Sequence, residues 1–202
     1  MVLVPYLTIK KAVAAKRTVC YTWIRQEEWD MKDTIFLIGF MGAGKSTIAE
    51  CLRQNYGRKV VEMDQKIEEQ EQMAISRIFE EKGEDYFRGL ETKLLQKLRG
   101  QPNLVVSCGG GVPLRVCNVE VMKESGQVIF LTATPETVYR RVKDSHNRPL
   151  LEKNKNIPFI ASLMNERKSW YEAAADYLVA TDNRAAEEIC KEIMERLSGI
   201  KR

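Results

Sequence analysis

The tightest constraint on this chain is the run Gly39-Phe-Met-Gly42-Ala43-Gly44-Lys45-Ser46, which fits G-x-x-x-x-G-K-[ST]. It stands between a short apolar run, Thr34-Ile-Phe-Leu-Ile, and a helix-forming stretch that begins near Gly44 and closes near Gly57. Strand before and helix after are the setting in which this pattern has meaning. Glycines let backbone N–H groups close around phosphate oxygens, and the helix N-terminus adds unpaired donors and partial positive charge. Lys45 is placed to reach the β- and γ-phosphates, and Ser46 to ligate Mg²⁺. The run predicts a nucleotide site, with ATP as the nucleotide. It does not say where the γ-phosphate goes.

Strand and helix signals then alternate. Lys59-Val-Val-Glu reads as a second strand, followed by a long helical region with breaks near Met73 and Gly83. Leu94, Leu95 and Leu98 give that region an apolar face at helical spacing. Leu104-Val-Val-Ser is a third strand, ended by Gly109-Gly110-Gly111, and Gln127-Val-Ile-Phe-Leu is a fourth. Thr134-Pro135 opens a helix, with Thr at the N-cap and Pro at the first helical position. Residues 146–155 read as a polar loop, 158–173 as a helix, Tyr177-Leu-Val-Ala as a fifth strand and 185–197 as a last helix. Strands separated by helices imply parallel crossovers and a sheet covered on both faces.

Composition narrows the classes. The 44% apolar and 30% charged fractions suit an ordinary globular protein. No stretch approaches 18 uncharged apolar residues, so no membrane-spanning helix is expected. A net charge of +4 without a basic block gives no reason to expect a nucleic-acid partner. The five cysteines form no CxxC pair, which speaks against zinc and a disulfide scaffold and for a reducing cytoplasm. The single histidine, His146, excludes a histidine-based triad.

In a sheet of this type ligands bind at the carboxyl ends of strands, and three features fall there. Glu62-Met-Asp64 follows the second strand. One acid can organise hydrated Mg²⁺ and the other can hold a substrate hydroxyl and take its proton, although Asp64 as a helix N-cap fits equally. Arg88 can pair with a substrate carboxylate or, more blandly, with Glu84 one helical turn earlier. Gly109, Gly110 and Gly111 allow close backbone approach to a ligand and exceed what a tight turn needs. Farther on, Arg148 in the polar loop can fold over ATP and offset phosphoryl charge. Arg140 and Arg141 precede that loop; by spacing alone Arg167 and Arg184 are ordinary surface arginines, though Arg184 can stack on adenine.

Together these features resemble shikimate kinase, from about Lys32 onward. The resemblance rests on Gly39 to Thr47, the acidic pair ending in Asp64, Ile78-Phe79, Gly83-Glu84 with Phe87-Arg88 and Glu91, the glycine triplet, Arg148-Pro-Leu-Leu, and Glu166-Arg167 followed by Tyr171. It implies transfer of the ATP γ-phosphate to the 3-hydroxyl of shikimate, in aromatic amino-acid synthesis. It implies a P-loop three-layer α/β sandwich like that of nucleoside monophosphate kinases, with five parallel strands in the order 2-3-1-4-5, and a monomer. Carried over by position, Asp64 holds the shikimate hydroxyls and is the base, with Lys45 and Arg148 also catalytic. Arg88, Arg167 and the backbone of Gly109 to Gly111 hold the shikimate carboxylate. Gly42, Ala43, Gly44, Lys45, Ser46 and Thr47 bind the ATP phosphates, Arg141 and Arg184 flank adenine, and Ser46 and Glu62 (through water) serve Mg²⁺. Two positions depart from the family pattern: Glu62 and Ala180 each stand where aspartate is common. Another P-loop small-molecule kinase, for gluconate or nucleoside monophosphates, and a non-catalytic regulator of this fold are the competing functions.

Residues 1–30 have no counterpart in the family's compact form, and 31–202 form the expected kinase domain. The first nineteen residues lack an acid but carry Lys10, Lys11, Lys16 and Arg17. An upstream start preceding a native Met31, a true extension, and an organelle transit peptide each fit that composition.

Overall fold

A computed structural model describes residues 33–143 and 156–199. Its frame is a five-stranded parallel sheet in the order β2-β3-β1-β4-β5, comprising β1 (Thr34–Ile38), β2 (Lys59–Glu62), β3 (Leu104–Ser107), β4 (Gly126–Thr132) and β5 (Tyr177–Ala180). Every residue of β1 is buried, as a central strand between two helical layers requires. Alternation splits it: Phe36 and Ile38 enter one core cluster with Val106, Val128 and Leu95, while Ile35 and Leu37 enter another with Val105, Ile129 and Leu52.

The helices are α1 (Lys45–Tyr56), α2 (Met63–Glu71), α3 (Ile75–Lys82), α4 (Glu84–Leu98), α5 (Val116–Ser125), α6 (Pro135–Val142), α7 (Ile157–Ala174) and α8 (Ala186–Leu197). α1 and α8 pack together on one face. The first cluster, with Ile67 of α2, Ile78 of α3, Leu94 of α4, Met122 of α5 and Tyr171 of α7, fills the other. The expected breaks near Met73 and Gly83 separate α2, α3 and α4. Thr134 caps α6 by accepting from Thr137 N, as its place before Pro135 predicts.

Two elements have no counterpart in the sequence pattern. Between Gly111 and β4 the chain makes a short 3₁₀ turn, Val112–Leu114, and then α5. Its apolar residues do not form one stripe: Met122 is buried, Val119 and Val121 are half-buried, and Val116 is exposed. Its N-cap, Arg115, makes no capping side-chain bond. Helical periodicity is therefore weak, and what places a helix here is the crossover that returns the chain from β3 to β4.

Candidate active site

The strand order sets the layout. The phosphate loop leaves β1 at the centre of the sheet. β3 lies beside β1, and β2 lies outside β3, with Leu37 and Glu62 both in register with Ser107. The glycine triplet after β3 therefore sits between the phosphate loop and the acids after β2. On the other flank, β4 and β5 carry the segments that lead to Arg141 and Arg184.

In the loop, Gly44 has φ 99°, a left-handed conformation that glycine adopts without strain as the chain turns into α1. Lys45 Nζ donates to the carbonyls of Gly39 (2.9 Å) and Phe40 (3.1 Å), which curls its ammonium over the loop. Ser46 Oγ donates to Glu62 Oε2 at 3.1 Å, so the hydroxyl at the start of α1 and the carboxylate at the end of β2 meet. Glu62, not Asp64, occupies the N-cap position of α2, and it makes no capping bond there. Asp64 lies in the first helical turn, so the alternative that it merely caps the helix does not hold.

Asp64 instead faces the glycine triplet. A Cβ added to Gly109 would lie 2.7 Å from Asp64 Oδ1 and 2.8 Å from Glu91 Oε1, which places both carboxylates beside this backbone. A Cβ on Gly111 would coincide with the Arg88 guanidinium, and one on Gly110 would lie 3.9 Å from Arg167 Nη1. Two guanidiniums, from α4 and α7, thus flank one short backbone segment with Asp64 at its near end.

Arg88 does form the bland pair with Glu84, through Nε and Nη2 at 3.1 and 2.8 Å. It also donates from Nη1 to Glu91 Oε2 at 2.8 Å. Glu91 is fully buried, and its Oε1 is the only buried side-chain polar atom without a partner among the described residues. Burial pushes its carboxyl up to about 7; Arg88 opposes the rise and the Asp64 charge adds to it. Tyr171 is a second residue that the sequence reading gave no role. Its hydroxyl donates to the Gly110 carbonyl at 2.7 Å, with the Arg167 charge nearby. Burial raises the Tyr171 pKa, while Arg167 pulls it down. Two signals mark them in the sequence: both fall in the family pattern, and Glu91 lies three residues after Arg88 and Tyr171 four after Arg167, each one turn along its helix.

On the β4–β5 flank, Arg141 Nη1 donates to Gly42 O at 3.0 Å and Nη2 to Thr181 O at 2.9 Å, tying α6 to the phosphate loop and to the segment after β5. Arg184 donates to Ala180 O at 3.0 Å and pairs with Glu192 of α8 at 2.7 Å. Arg148 lies outside the described residues.

The family model for shikimate kinase matches residues 41–198. The chain belongs to the shikimate kinase family. A shikimate kinase of Persephonella marina is 44% identical over 163 residues, which cover 81% of this chain and 98% of that protein. One from Dehalococcoides mccartyi is 40% identical over 166 residues, 82% of this chain and 94% of that one. The solved shikimate kinase from Acinetobacter baumannii, a complex with shikimate, superposes with a TM-score of 0.79 at 32% identity, covering 86% of this chain and 98% of that one. The sheet order is that of the P-loop kinase fold expected for a shikimate kinase.

Proposed function

We propose that this shikimate kinase transfers the ATP γ-phosphate to the 3-hydroxyl of shikimate through the residues gathered around the glycine triplet. The observation that carries the assignment is the meeting of Arg88, Arg167 and Asp64 at Gly109 to Gly111, one strand away from the phosphate loop. A carboxylate seated between the two guanidiniums forms charge-assisted hydrogen bonds. That anchoring points the ring hydroxyls at Asp64 and at the start of α1. Asp64 then accepts the hydroxyl proton as the oxygen bonds to the γ-phosphorus and the bond from phosphorus to the β-phosphate oxygen breaks, releasing ADP. Direct in-line transfer needs positioning and charge neutralisation, not a covalent enzyme intermediate.

Gly42 to Thr47 hold the phosphates, and Lys45 exchanges its loop carbonyls for phosphate oxygens. Arg141 and Arg184 flank adenine in this proposal, and Arg148 supplies charge over the phosphates. Ser46 and Glu62 fit Mg²⁺: a hydroxyl and a carboxylate 3.1 Å apart are hard oxygen donors, and an ion shared with phosphates keeps several waters and needs few protein ligands. The longer Glu62 side chain already reaches Ser46, so the departure from aspartate does not separate the two groups. When bound, the ion neutralises charge on the phosphates. The catalytic domain spans 31–202 and acts as a cytoplasmic monomer on these two small molecules.

The test is ADP release with shikimate as acceptor, with the product identified by mass spectrometry. Shikimate-dependent ADP formation with a phosphorylated shikimate product supports the proposal. ADP release only with gluconate or a nucleoside monophosphate, or binding of both ligands without transfer, overturns it.

A further inference from the structure

Asn118 lies on α5 with no exposed surface, in the segment the sequence pattern left unassigned. Its Nδ2 donates to the carbonyl of Val112, the residue after the glycine triplet, at 3.0 Å. A carbonyl only accepts, so this contact fixes which end of the Asn118 amide is nitrogen. The Oδ1 end accepts from the Thr92 hydroxyl at 2.8 Å. Thr92 is on α4, one turn beyond Arg88, and its Oγ1 also lies 3.1 Å from the Arg88 carbonyl. Val112 N in turn donates to Gly109 O at 3.1 Å, closing the glycine turn.

These bonds form one chain, from the helical turn that carries Arg88, through Thr92 and Asn118, to the end of the Gly109–Gly111 backbone. They join the two parts of the carboxylate seat that come from different crossovers. Arg88 and Gly111 approach so closely that a methyl group at Gly111 has no room, so a small shift of the turn against α4 changes the seat. A buried amide with both ends satisfied resists such a shift, because sliding leaves polar atoms unpaired in an apolar core.

We infer that Asn118 is a positioning residue, acting through Thr92 and Val112 to hold the glycine turn in register with Arg88 for binding the substrate carboxylate. This role rests on the carboxylate seat proposed above. It predicts an effect confined to the acceptor substrate, since neither Thr92 nor Asn118 touches the phosphate loop.

The test compares Asn118→Leu, Thr92→Val and Thr92→Ser in the full chain by steady-state kinetics and thermal melting. Asn118→Leu and Thr92→Val should raise the shikimate KM roughly tenfold, with the ATP KM and kcat near their starting values. Thr92→Ser, which keeps the hydroxyl, should restore the KM. If Asn118→Leu does not fold, the Thr92 pair carries the test alone. An unchanged shikimate KM in folded Thr92→Val, or parallel losses in kcat and both KM values that the serine variant does not reverse, overturns the inference. Arg88→Ala separates the two levels. If it leaves the shikimate KM unchanged, the carboxylate seat itself is wrong. If it raises that KM while Thr92→Val does not, only the role of Asn118 falls.

Discussion

Replacing Gly111 with alanine adds one methyl group to the proposed carboxylate seat. Gly111 has φ −96° and ψ −10°, a conformation open to any residue, so alanine incurs no backbone strain. The added Cβ would fall on the Arg88 guanidinium, within contact of Nη1, Cζ and Nη2 together. Either the turn moves or Arg88 leaves its place. Overpacking of this kind costs about 1–3 kcal/mol, and losing charge-assisted bonds to a carboxylate costs a similar ~1.5–3 kcal/mol. At about 1.4 kcal/mol per factor of ten, the shikimate KM should rise roughly ten- to hundredfold. The phosphate loop is untouched, so the ATP KM should stay near its starting value. Gly89→Ala is the matched control. Gly89 follows Arg88 on the same helix, and a Cβ there meets nothing within 4 Å. That variant should be as active as the parent and about 0.5–1 kcal/mol more stable, the usual gain for alanine over glycine inside a helix. Coupled ADP-release kinetics with each substrate varied, and thermal melts of all three proteins, decide the matter. A folded Gly111→Ala protein with the parent's shikimate KM would refute the proposed geometry.

Other outcomes follow from the same site. Asp64→Asn keeps the shape but not the proton acceptor, so turnover should fall roughly 10²–10⁴-fold while calorimetry finds ATP binding intact; unchanged turnover would count against Asp64 as the base. Arg88→Ala should raise the shikimate KM far more than the ATP KM, and equal changes would remove it from the carboxylate seat. Glu91 titrates near 7 in the fold but near 4.5 when unfolded, so the folded state holds its proton more tightly. Its contribution is fully present below pH 4.5 and is lost as pH rises through about 7, on the order of 3 kcal/mol in all. Glu91→Gln should therefore gain Tm relative to the parent between about pH 5 and pH 8, and parallel Tm–pH curves would contradict that burial.

How much of this could be read from residue order differs from one residue to the next. Gly44, Lys45 and Ser46 were legible because their chemistry is local: strand, loop and helix are contiguous, and backbone N–H groups at a helix start do the binding. Arg88 was ambiguous for a physical reason. Its spacing to Glu84 makes a real ion pair, and the same guanidinium also reaches Glu91 and the glycine turn. Glu91 belongs to the family pattern, but its spacing shows only an acid one turn from Arg88, and packing alone removes it from water. Asn118 sits in a helix with little periodicity, so neither its element nor its burial was readable.

By itself the sequence determined the phosphate loop, the apolar strands and the identity of the arginines, because each depends on neighbours a few residues away. It also carried the family pattern that its relatives match. Tertiary structure decided what those residues meet. Placing β3 between β2 and β1 sets the glycine triplet beside Asp64, and folding α7 back over it brings Tyr171 to Gly110 across 61 residues of chain. Burial of Glu91, the orphaned Oε1 and the bridge through Asn118 exist only once distant crossovers pack, since exposure and hydrogen-bond partners belong to the folded arrangement and not to any one segment.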